Sequence, residues 1–150
     1  MQPLTFPPYR FTTSLVDGKQ MIFDSVRSKY VRLTPEEWVR QHLVQFLIHD
    51  RGTPVGLIAV EQSVTYLGTQ RRADVVVYGR RLTPVLLAEC KAPEVRIRQD
   101  AFDQIAAYNT VFEARCLVVT NGLDVYVWWL DPETSSYRFL DAIPSYDDFH

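Results

Sequence analysis

The sequence predicts one α/β domain of the α+β type, in which a mixed β-sheet is flanked by helices in the order helix, three strands, helix, strand, strand. The chain has 150 residues, of which 47% are hydrophobic, and this is enough for one well-filled core. Three apolar runs follow one another at short spacing, which predicts antiparallel neighbours. A helical segment then separates the third run from the fourth, which predicts a parallel crossover. We therefore expect a single domain over residues 1–150, with a core over about 34–130 and an N-terminal extension over 1–33.

The first helix is predicted from Pro35 to about His49. Thr34 is a good N-cap residue, Pro35 suits the first helical position, and two glutamates place negative charge in the first turn. Apolar residues then recur at three- and four-residue steps, at Val39, Leu43, Phe46 and Leu47.

The other elements follow from apolar runs and turn signals. Strands are predicted at 56–66, 71–78 and 84–93, and later at 114–120, 123–130 and 136–140. Asp17-Gly18 predicts a hairpin between strands at 11–16 and 20–23, and Asn121-Gly122 predicts a turn. The acidic end of the chain is expected to be a loop or tail. The second helix is expected over 98–112, with packing positions at Phe102, Ile105, Ala106 and Val111.

Charged side chains interrupt two of the predicted strands. Asp74 lies in one apolar run, and Glu89-Cys90-Lys91 ends the next. Because strand side chains alternate between faces, Glu89 and Lys91 share one face and Cys90 lies on the other. If the two strands pair, Asp74 can reach the same patch. Two carboxylates beside an ammonium form a site for a hard cation, which suits phosphodiester hydrolysis.

The same residues also have a purely structural interpretation. Glu89 and Lys91 are then a salt bridge on an exposed strand face, and Asp74 is a turn or capping residue. An ion pair in a covered central strand costs several kcal/mol in desolvation, whereas a site open to water and metal avoids most of that cost. The combination of all three residues therefore favours a metal-dependent site.

Gln104 and Tyr108 lie four residues apart on the second helix and therefore share a face. Ordinary helix surface is the simplest interpretation of such a pair. This helix leaves the strand that carries Glu89, however, so the shared face is expected over the end of that strand. An amide and a hydroxyl there can bond a phosphate or orient a base without adding charge.

The charge distribution is uneven, although the net charge is only −2. Residues 27–98 hold 12 Lys or Arg and 7 Asp or Glu, whereas residues 99–150 hold 2 and 9. This asymmetry predicts a basic surface around the site, and a solvated surface with an acidic tail is an equally good interpretation. The basic residues expected near the site are Arg27, Lys29, Arg32, Arg71, Arg72, Arg80, Arg81, Arg96 and Arg98.

Several other classes of function lack their sequence signals. No apolar run has the length of a membrane span and no signal-peptide pattern is present, so no membrane association and a cytoplasmic location are expected. Cys90 and Cys116 lack metal-type spacing and are expected to be buried free thiols. No histidine stands beside a plausible nucleophile, and no phosphate-binding glycine loop occurs, so any motor is expected on another polypeptide.

Taken together, Asp74, Glu89-Cys90-Lys91 and the pair Gln104 and Tyr108, with Glu36 on the preceding helix, resemble the PD-(D/E)XK nuclease superfamily. More narrowly, they resemble the N-terminal nuclease domain of type I restriction enzyme R subunits and related stand-alone proteins, over about residues 34–120. One departure is Ala73, where the superfamily pattern has Pro. The resemblance implies a restriction-endonuclease-like core.

The resemblance also implies roles for individual residues. Asp74, Glu89 and the backbone carbonyl of Cys90 would bind Mg²⁺ or Mn²⁺, and Lys91 would position the attacking water or stabilise transition-state charge. Glu36 would complete the metal site. Glu37 is the rival for that position, and Glu61 on the first core strand is a further candidate neighbour. Gln104 and Tyr108 complete the expected catalytic set.

The expected function is therefore Mg²⁺-dependent hydrolysis of DNA phosphodiester bonds by an endonuclease-like domain. Its expected partner is a nucleic acid, with DNA as the first expectation, and a separate motor or specificity protein is a further candidate. The alternative is a catalytically silent module of the same fold that binds nucleic acid or assembles a complex. A third alternative, a structural α/β protein, would hold Asp74, Glu89 and Lys91 apart.

Overall fold

The chain folds into a six-stranded mixed sheet, a separate three-stranded sheet and two α-helices, and the computed structural model describes residues 1–150. The elements are β1 (Thr13–Val16), β2 (Lys19–Asp24), β3 (Lys29–Arg32), α1 (Pro35–His49), β4 (Ile58–Tyr66), β5 (Thr69–Tyr78), β6 (Pro84–Cys90), α2 (Gln99–Phe112), β7 (Cys116–Thr120), β8 (Val125–Asp131) and β9 (Ser136–Leu140).

The large sheet has the strand order β4-β5-β6-β7-β8-β9, so every strand pairs with its neighbour in sequence. Only β6 and β7 are parallel, and they are the pair that α2 connects. All other pairs are antiparallel. The predicted order and the parallel crossover are therefore confirmed, since short connections favour antiparallel pairing and a parallel pair needs a longer crossover.

Local signals fix the two helices. The Thr34 hydroxyl accepts a hydrogen bond from the Glu37 backbone N–H at 3.0 Å, which caps α1 one residue before Pro35. Helix α2 ends at Glu113, whose φ of 57° lies in the left-handed region. Both predicted helix ranges agree with the structure to within one residue.

Each face of the large sheet is covered by one helix. The face covered by α1, called the α1 face, packs Val75, Ala88 and Cys90 against Val39 and Leu43. The opposite α2 face has its own core cluster, formed by Ala73, Val76, Ala101, Tyr108, Ala114, Leu87, Leu117, Val119, Ile105 and Trp128. The central strands are therefore buried on both sides. Cys90 and Cys116 are buried free thiols, as predicted.

The N-terminal extension is more ordered than its composition indicates. Its predicted hairpin is present as β1 and β2, with Asp17 and Gly18 at φ angles of 51° and 76° in the turn. The sequence did not predict β3, which pairs with β2 and completes the small sheet. No helix in the structure is long and apolar enough to cross a membrane.

Two other expectations need correction: Val111 is not a packing position, and the acidic end is irregular, as expected of a loop, but it packs against the domain. Val111 is exposed instead of packed, because the apolar face of α2 is formed by Ala101, Ile105 and Tyr108. The acidic end is not a free tail. Ile143 and Tyr146 are buried in the α1-face core, and the Tyr146 hydroxyl donates a hydrogen bond to the Tyr78 carbonyl.

Candidate active site

Asp74 lies where both of its neighbouring strand ladders are interrupted. The β5–β6 pairing ends at Val75 and Ala88, which leaves Asp74 and Glu89 as the next residues on their two strands. On the other side, the β4–β5 ladder runs through Val60 and Val75 and resumes at Gln62 and Ala73, so Asp74 and Glu61 are skipped. Glu61, which lies opposite Asp74 with the register unchanged, has a φ of 52° in the left-handed region. The sheet is therefore open around Asp74.

The Asp74 side chain replaces the missing ladder bond. Its Oδ2 accepts a hydrogen bond from the Cys90 backbone N–H at 2.7 Å. This bond attaches the Asp74 carboxylate to the main chain of β6, next to Glu89. The predicted convergence of Asp74 on the Glu89 strand is therefore present in the structure.

Glu89 is half-buried beside Asp74. Burial and the nearby negative charge of Asp74 raise the pKa of Glu89 to about 9, and Lys91 opposes this shift. The Asp74 and Glu89 carboxyl groups are also close enough to share a hydrogen bond. Two carboxylates this close repel each other, so one of them keeps its proton when no positive charge lies between them.

Glu36 reaches the same site from the first turn of α1. Partial burial and the Asp74 charge raise the pKa of Glu36, while Arg40 and Lys91 oppose the increase. Lys91 therefore lies near both Glu36 and Glu89. Its backbone N–H donates to the Thr120 carbonyl, which fixes the chain directly after β6.

Glu37, the rival of Glu36, is buried in a different environment. Its carboxylate accepts hydrogen bonds from Arg40 at 2.8 and 2.9 Å, from Arg27 at 3.0 Å and from Gln41 at 3.1 Å. These donors hold the Glu37 carboxylate and lower its pKa against the opposing effect of burial. Glu36, in contrast, is only partly desolvated and keeps an exposed surface. Of the two glutamates, Glu36 is the one free to receive a ligand.

Arg40 links this buried network to the site, and the sequence did not identify it as a functional residue. Its guanidinium bonds Glu37, approaches Glu61 at 3.3 Å and lies 3.5 Å from Asp74. Hydrogen bonds and charge from Glu37 raise the pKa of Arg40 despite its burial. Glu37 and Arg40 have the spacing of an ordinary helix pair, so nothing in the sequence indicates the contact between Arg40 and Asp74.

A polar network continues from Arg40 into the N-terminal sheet. Asp24 at the end of β2 is buried, and it accepts hydrogen bonds from Arg27 and from Gln41 at 3.0 Å. Arg27 also contacts Glu61 at 3.1 Å. Glu61, the further candidate neighbour, is therefore paired with arginines, including Arg72 at 3.6 Å.

Gln104 and Tyr108 form a pair of their own on α2. The Gln104 amide donates to the Tyr108 hydroxyl at 3.0 Å, and the Tyr108 ring packs against Tyr66. Tyr108 shares a core cluster with Ala73, the residue before Asp74. The pair therefore lies on the α2 face near Asp74, but neither side chain hydrogen-bonds to a site carboxylate.

The predicted basic surface is only partly present at the site. Arg27, Arg32 and Arg40 line an open polar cleft of about 570 Å³ that also includes Glu36 and Glu94. Arg80 and Arg81 were expected there but lie at the other end of the sheet, in the connection between β5 and β6. That connection is remote because β6 runs the full length of the sheet before it reaches Glu89. Arg80 pairs instead with Asp147 near the end of the chain.

The donor chemistry of the site fits a hard cation. Asp74 and Glu89 supply carboxylate oxygens, and the Cys90 carbonyl was expected to add a third oxygen. Mg²⁺ is commonly held by one or two carboxylates, with water in its other positions. No group of three or more His, Cys, Asp or Glu side chains is arranged to hold a metal ion. Burial and the Asp74 charge raise the pKa of Glu89 here even though Arg40 lies 3.5 Å from Asp74.

Fold and site together define an α+β domain with paired carboxylates at the open end of two central strands. Residues 35–144 match the family described as the type I restriction enzyme R protein N terminus (HSDR_N), and the chain belongs to this family. The resemblance to the N terminus of type I restriction enzyme R subunits is thereby confirmed.

A solved structure also resembles the fold. It is a fragment of a protein assigned as an HsdR subunit of a type I restriction enzyme from Vibrio vulnificus YJ016, with 20% sequence identity and a TM-score of 0.58. The match covers 78% of this chain and 24% of that chain, so this protein corresponds to about a quarter of its structural relative. No curated protein matches the sequence.

Proposed function

We propose that this chain is a Mg²⁺-dependent nuclease domain of the PD-(D/E)XK superfamily that hydrolyses DNA phosphodiester bonds. The observation that carries the proposal is the pairing of Asp74 and Glu89 at an interruption of the sheet. Asp74 is bonded to the Cys90 amide there, and burial together with the Asp74 charge raises the pKa of Glu89. A structural ion pair would not place two acids together. Membership of the type I R-protein family supports a role in restriction of DNA.

The proposal assigns a separate role to each residue of the site. Asp74, Glu89 and the Cys90 carbonyl hold the cation, and Glu36 extends the ligand set from α1. When bound, Mg²⁺ supplies positive charge that polarises a phosphoryl oxygen. Lys91 orients the attacking water and offsets negative charge that develops on the phosphate. Gln104 and Tyr108 orient the substrate from α2.

The proposal predicts metal-dependent cutting that requires Asp74 and Lys91. Wild type should cut single-stranded or duplex DNA in Mg²⁺ or Mn²⁺ and should not cut in EDTA. Asp74→Asn and Lys91→Ala should each slow cutting at least about 100-fold, because each removes charge placed for the transition state. Gel electrophoresis of end-labelled DNA measures the rates.

Two matched variants serve as controls. Asp141→Asn and Lys19→Ala change the same residue types at exposed positions away from the site, and both should cut like wild type. Equal cutting by wild type, Asp74→Asn and Lys91→Ala would rule out catalysis by this site.

A second candidate function is a silent module that binds nucleic acid or assembles a complex. It is favoured by the absence of a three-ligand metal group and by the ion pair that Arg40 already supplies to Asp74. In that case DNA binding would weaken with salt in the usual way, but Mg²⁺ titration would give no binding heat and no DNA would be cut.

A further inference from the structure

Three aromatic rings lie together on the α2 face of strands β8 and β9. They are the exposed rings of Tyr126 and Phe139 and, between them, the buried ring of Trp128, called the aromatic shelf below. Tyr126 and Trp128 are stacked with an interplanar angle of 22°, and Trp128 lies 5.5 Å from Phe139 between ring centroids. Tyr126 is 38% exposed and Phe139 is 69% exposed. Exposed aromatic surface of this kind commonly marks a binding site.

The shelf and Glu89 of the candidate active site project from the same face of the sheet. Strand pairing places Glu89 beside Val119, and Val119 beside Tyr126. Residues paired in this way share a face, and adjacent strands are about 4.8 Å apart. Tyr126 is therefore about 10 Å from Glu89, a distance that a nucleic-acid strand spans in about three nucleotides at the B-form rise of about 3.4 Å.

The charge beside the shelf suits a polyanion. A small pocket of about 160 Å³ separates the shelf from the start of α2, and Arg98 is the only charged residue that lines it. Neither Arg96 nor Arg98 forms a salt bridge within the chain. The guanidinium of Arg98 therefore has no acidic partner within the chain and lies at a pocket that the shelf rings also line. This combination is the usual design of sites for single-stranded nucleic acid.

We propose that the aromatic shelf stacks unpaired bases, so that the candidate active site takes a single strand or an unpaired stretch of a duplex as its substrate. The ring faces bind bases, and Arg98 binds the adjoining phosphate. Paired bases offer their faces to each other and not to a protein surface, so an intact duplex would not use the shelf. The statement that the bound strand is a substrate rests on the proposed nuclease function, whereas the binding of bases by the shelf does not.

The test measures binding without divalent metal, so that no cutting is needed. Fluorescence anisotropy is followed with three labelled probes of equal length: an oligothymidylate strand, the same strand with abasic sites, and a duplex. Wild type should bind the oligothymidylate at least about 5-fold more tightly than the abasic strand, since stacking on aromatic rings has this effect or more per base. Equal affinity for these two probes would overturn the proposal.

Substitutions in the shelf then test whether its rings cause the preference for the base-bearing strand. Phe139→Ala and Tyr126→Ala should each lose at least about 5-fold in affinity for oligothymidylate and should leave binding of the abasic strand unchanged. Tyr126→Phe keeps the ring and should keep the affinity. Leu82→Ala is the matched control, because Leu82 is 70% exposed and lies in the connection at the far end of the sheet.

Two other outcomes of these binding measurements would contradict base stacking on the shelf. An equal loss for base-bearing and abasic strands would overturn stacking as the mode of binding. A change of oligomeric state in the shelf variants, with unchanged affinity for DNA, would assign the shelf to contact between two copies of the chain. Failure of the nuclease proposal can be told apart from failure of the shelf proposal. The first appears as cutting that does not require Asp74 or as no cutting, whereas the second appears in the binding measurements alone.

Discussion

The raised pKa of Glu89 predicts that the proposed binding of metal depends on pH. Without metal, burial and the Asp74 charge raise the pKa of Glu89 to about 9, so Glu89 is protonated at pH 7. A carboxyl must lose its proton to act as a ligand. Mg²⁺ binding at pH 7 should therefore release about one proton, and the affinity should increase as the pH rises towards 9 and then level off.

Calorimetry in buffers of different ionisation enthalpy measures this proton. Wild type should give binding heats that change with the buffer, and Glu89→Gln should remove the change, since Gln has no proton to release. Glu94→Gln is the control, because Glu94 is an exposed acid at the nearby cleft. Heats that are independent of the buffer in wild type would contradict a Glu89 ligand.

The raised pKa of Glu89 also determines how the stability of the folded state changes with pH. The raised pKa means that the folded chain holds a proton that the unfolded chain has lost. Without metal, Glu89 therefore reduces the stability of the folded state as the pH rises from the ordinary value of about 4.5 to about 9. Asp24 and Glu37 act in the opposite direction, because their pKa values are lowered in the folded state. Their ionised carboxylates stabilise the fold at pH values above the ordinary pKa of each group, and this stabilisation is lost as the pH falls through the lowered pKa.

Arg40 is expected to contribute strongly to stability because it is buried among carboxylates. Arg40→Met leaves Glu37 and Asp74 without their shared cation, and removing one partner of a buried ion pair costs about 3–5 kcal/mol. Arg40→Lys keeps the charge but not the planar fork, so it should lose less. Urea unfolding, followed by circular dichroism, measures these free energies.

Arg72 provides the matched control for Arg40. It pairs with Glu61, as Arg40 does, but its side chain is 70% exposed. Arg72→Met should therefore change the free energy of unfolding by less than about 1 kcal/mol. Similar losses for Arg40→Met and Arg72→Met would show that the buried network does not stabilise the fold.

At the scale of elements, the small N-terminal sheet is attached to α1 through polar side chains. Asp24 at the end of β2 bonds Gln41 of α1, and Arg27 bonds Glu37. Asp24→Ala removes the acceptor for Arg27 and Gln41, and hydrogen bonds to a charged group contribute about 1.5–3 kcal/mol each. The sheet should then open locally more often, and trypsin should cut after Lys29 and Arg32 at least about 10-fold faster.

A variant within the same sheet controls for this prediction. Asp17→Asn changes an acid in the β1–β2 turn, where the positive φ of 51° is tolerated by Asn. Cleavage of this variant after Lys29 and Arg32 should match wild type. Mass spectrometry of the first fragments gives the sites and rates, and an unchanged rate in Asp24→Ala would show that other contacts hold the sheet.

At the scale of the whole molecule, the sequence predicted features that depend on neighbouring residues. Thr34 and Pro35 mark the start of α1 because capping is local, and the Val-rich runs mark the central strands because both sides are buried. The convergence of Asp74 and Glu89 was predictable from strand alternation and short spacing. These features can be predicted without knowing which residues that are distant in the sequence contact each other.

Features set by distant contacts were not predictable from the sequence. Arg40 reaches Asp74, and Arg27 reaches Glu37 and Glu61, only after three elements have packed together. The docking of Tyr146 depends on a carbonyl of β5 that is 68 residues away in the chain. The aromatic shelf arises in the same way, since its rings come from two strands and form one surface only when those strands pair.

The hydrogen bond from the Cys90 amide to Asp74 has a consequence for control of the site. It fastens one carboxylate to the main chain that carries the other, so Asp74 and Glu89 move as one rigid unit. A regulator that flexes the domain would carry both carboxylates along without separating them. Glu36 has no such tether and stands on a different element. The relative position of Glu36 and the carboxylate pair therefore depends on how α1 packs against the sheet, whereas the spacing of Asp74 and Glu89 is set within the sheet itself.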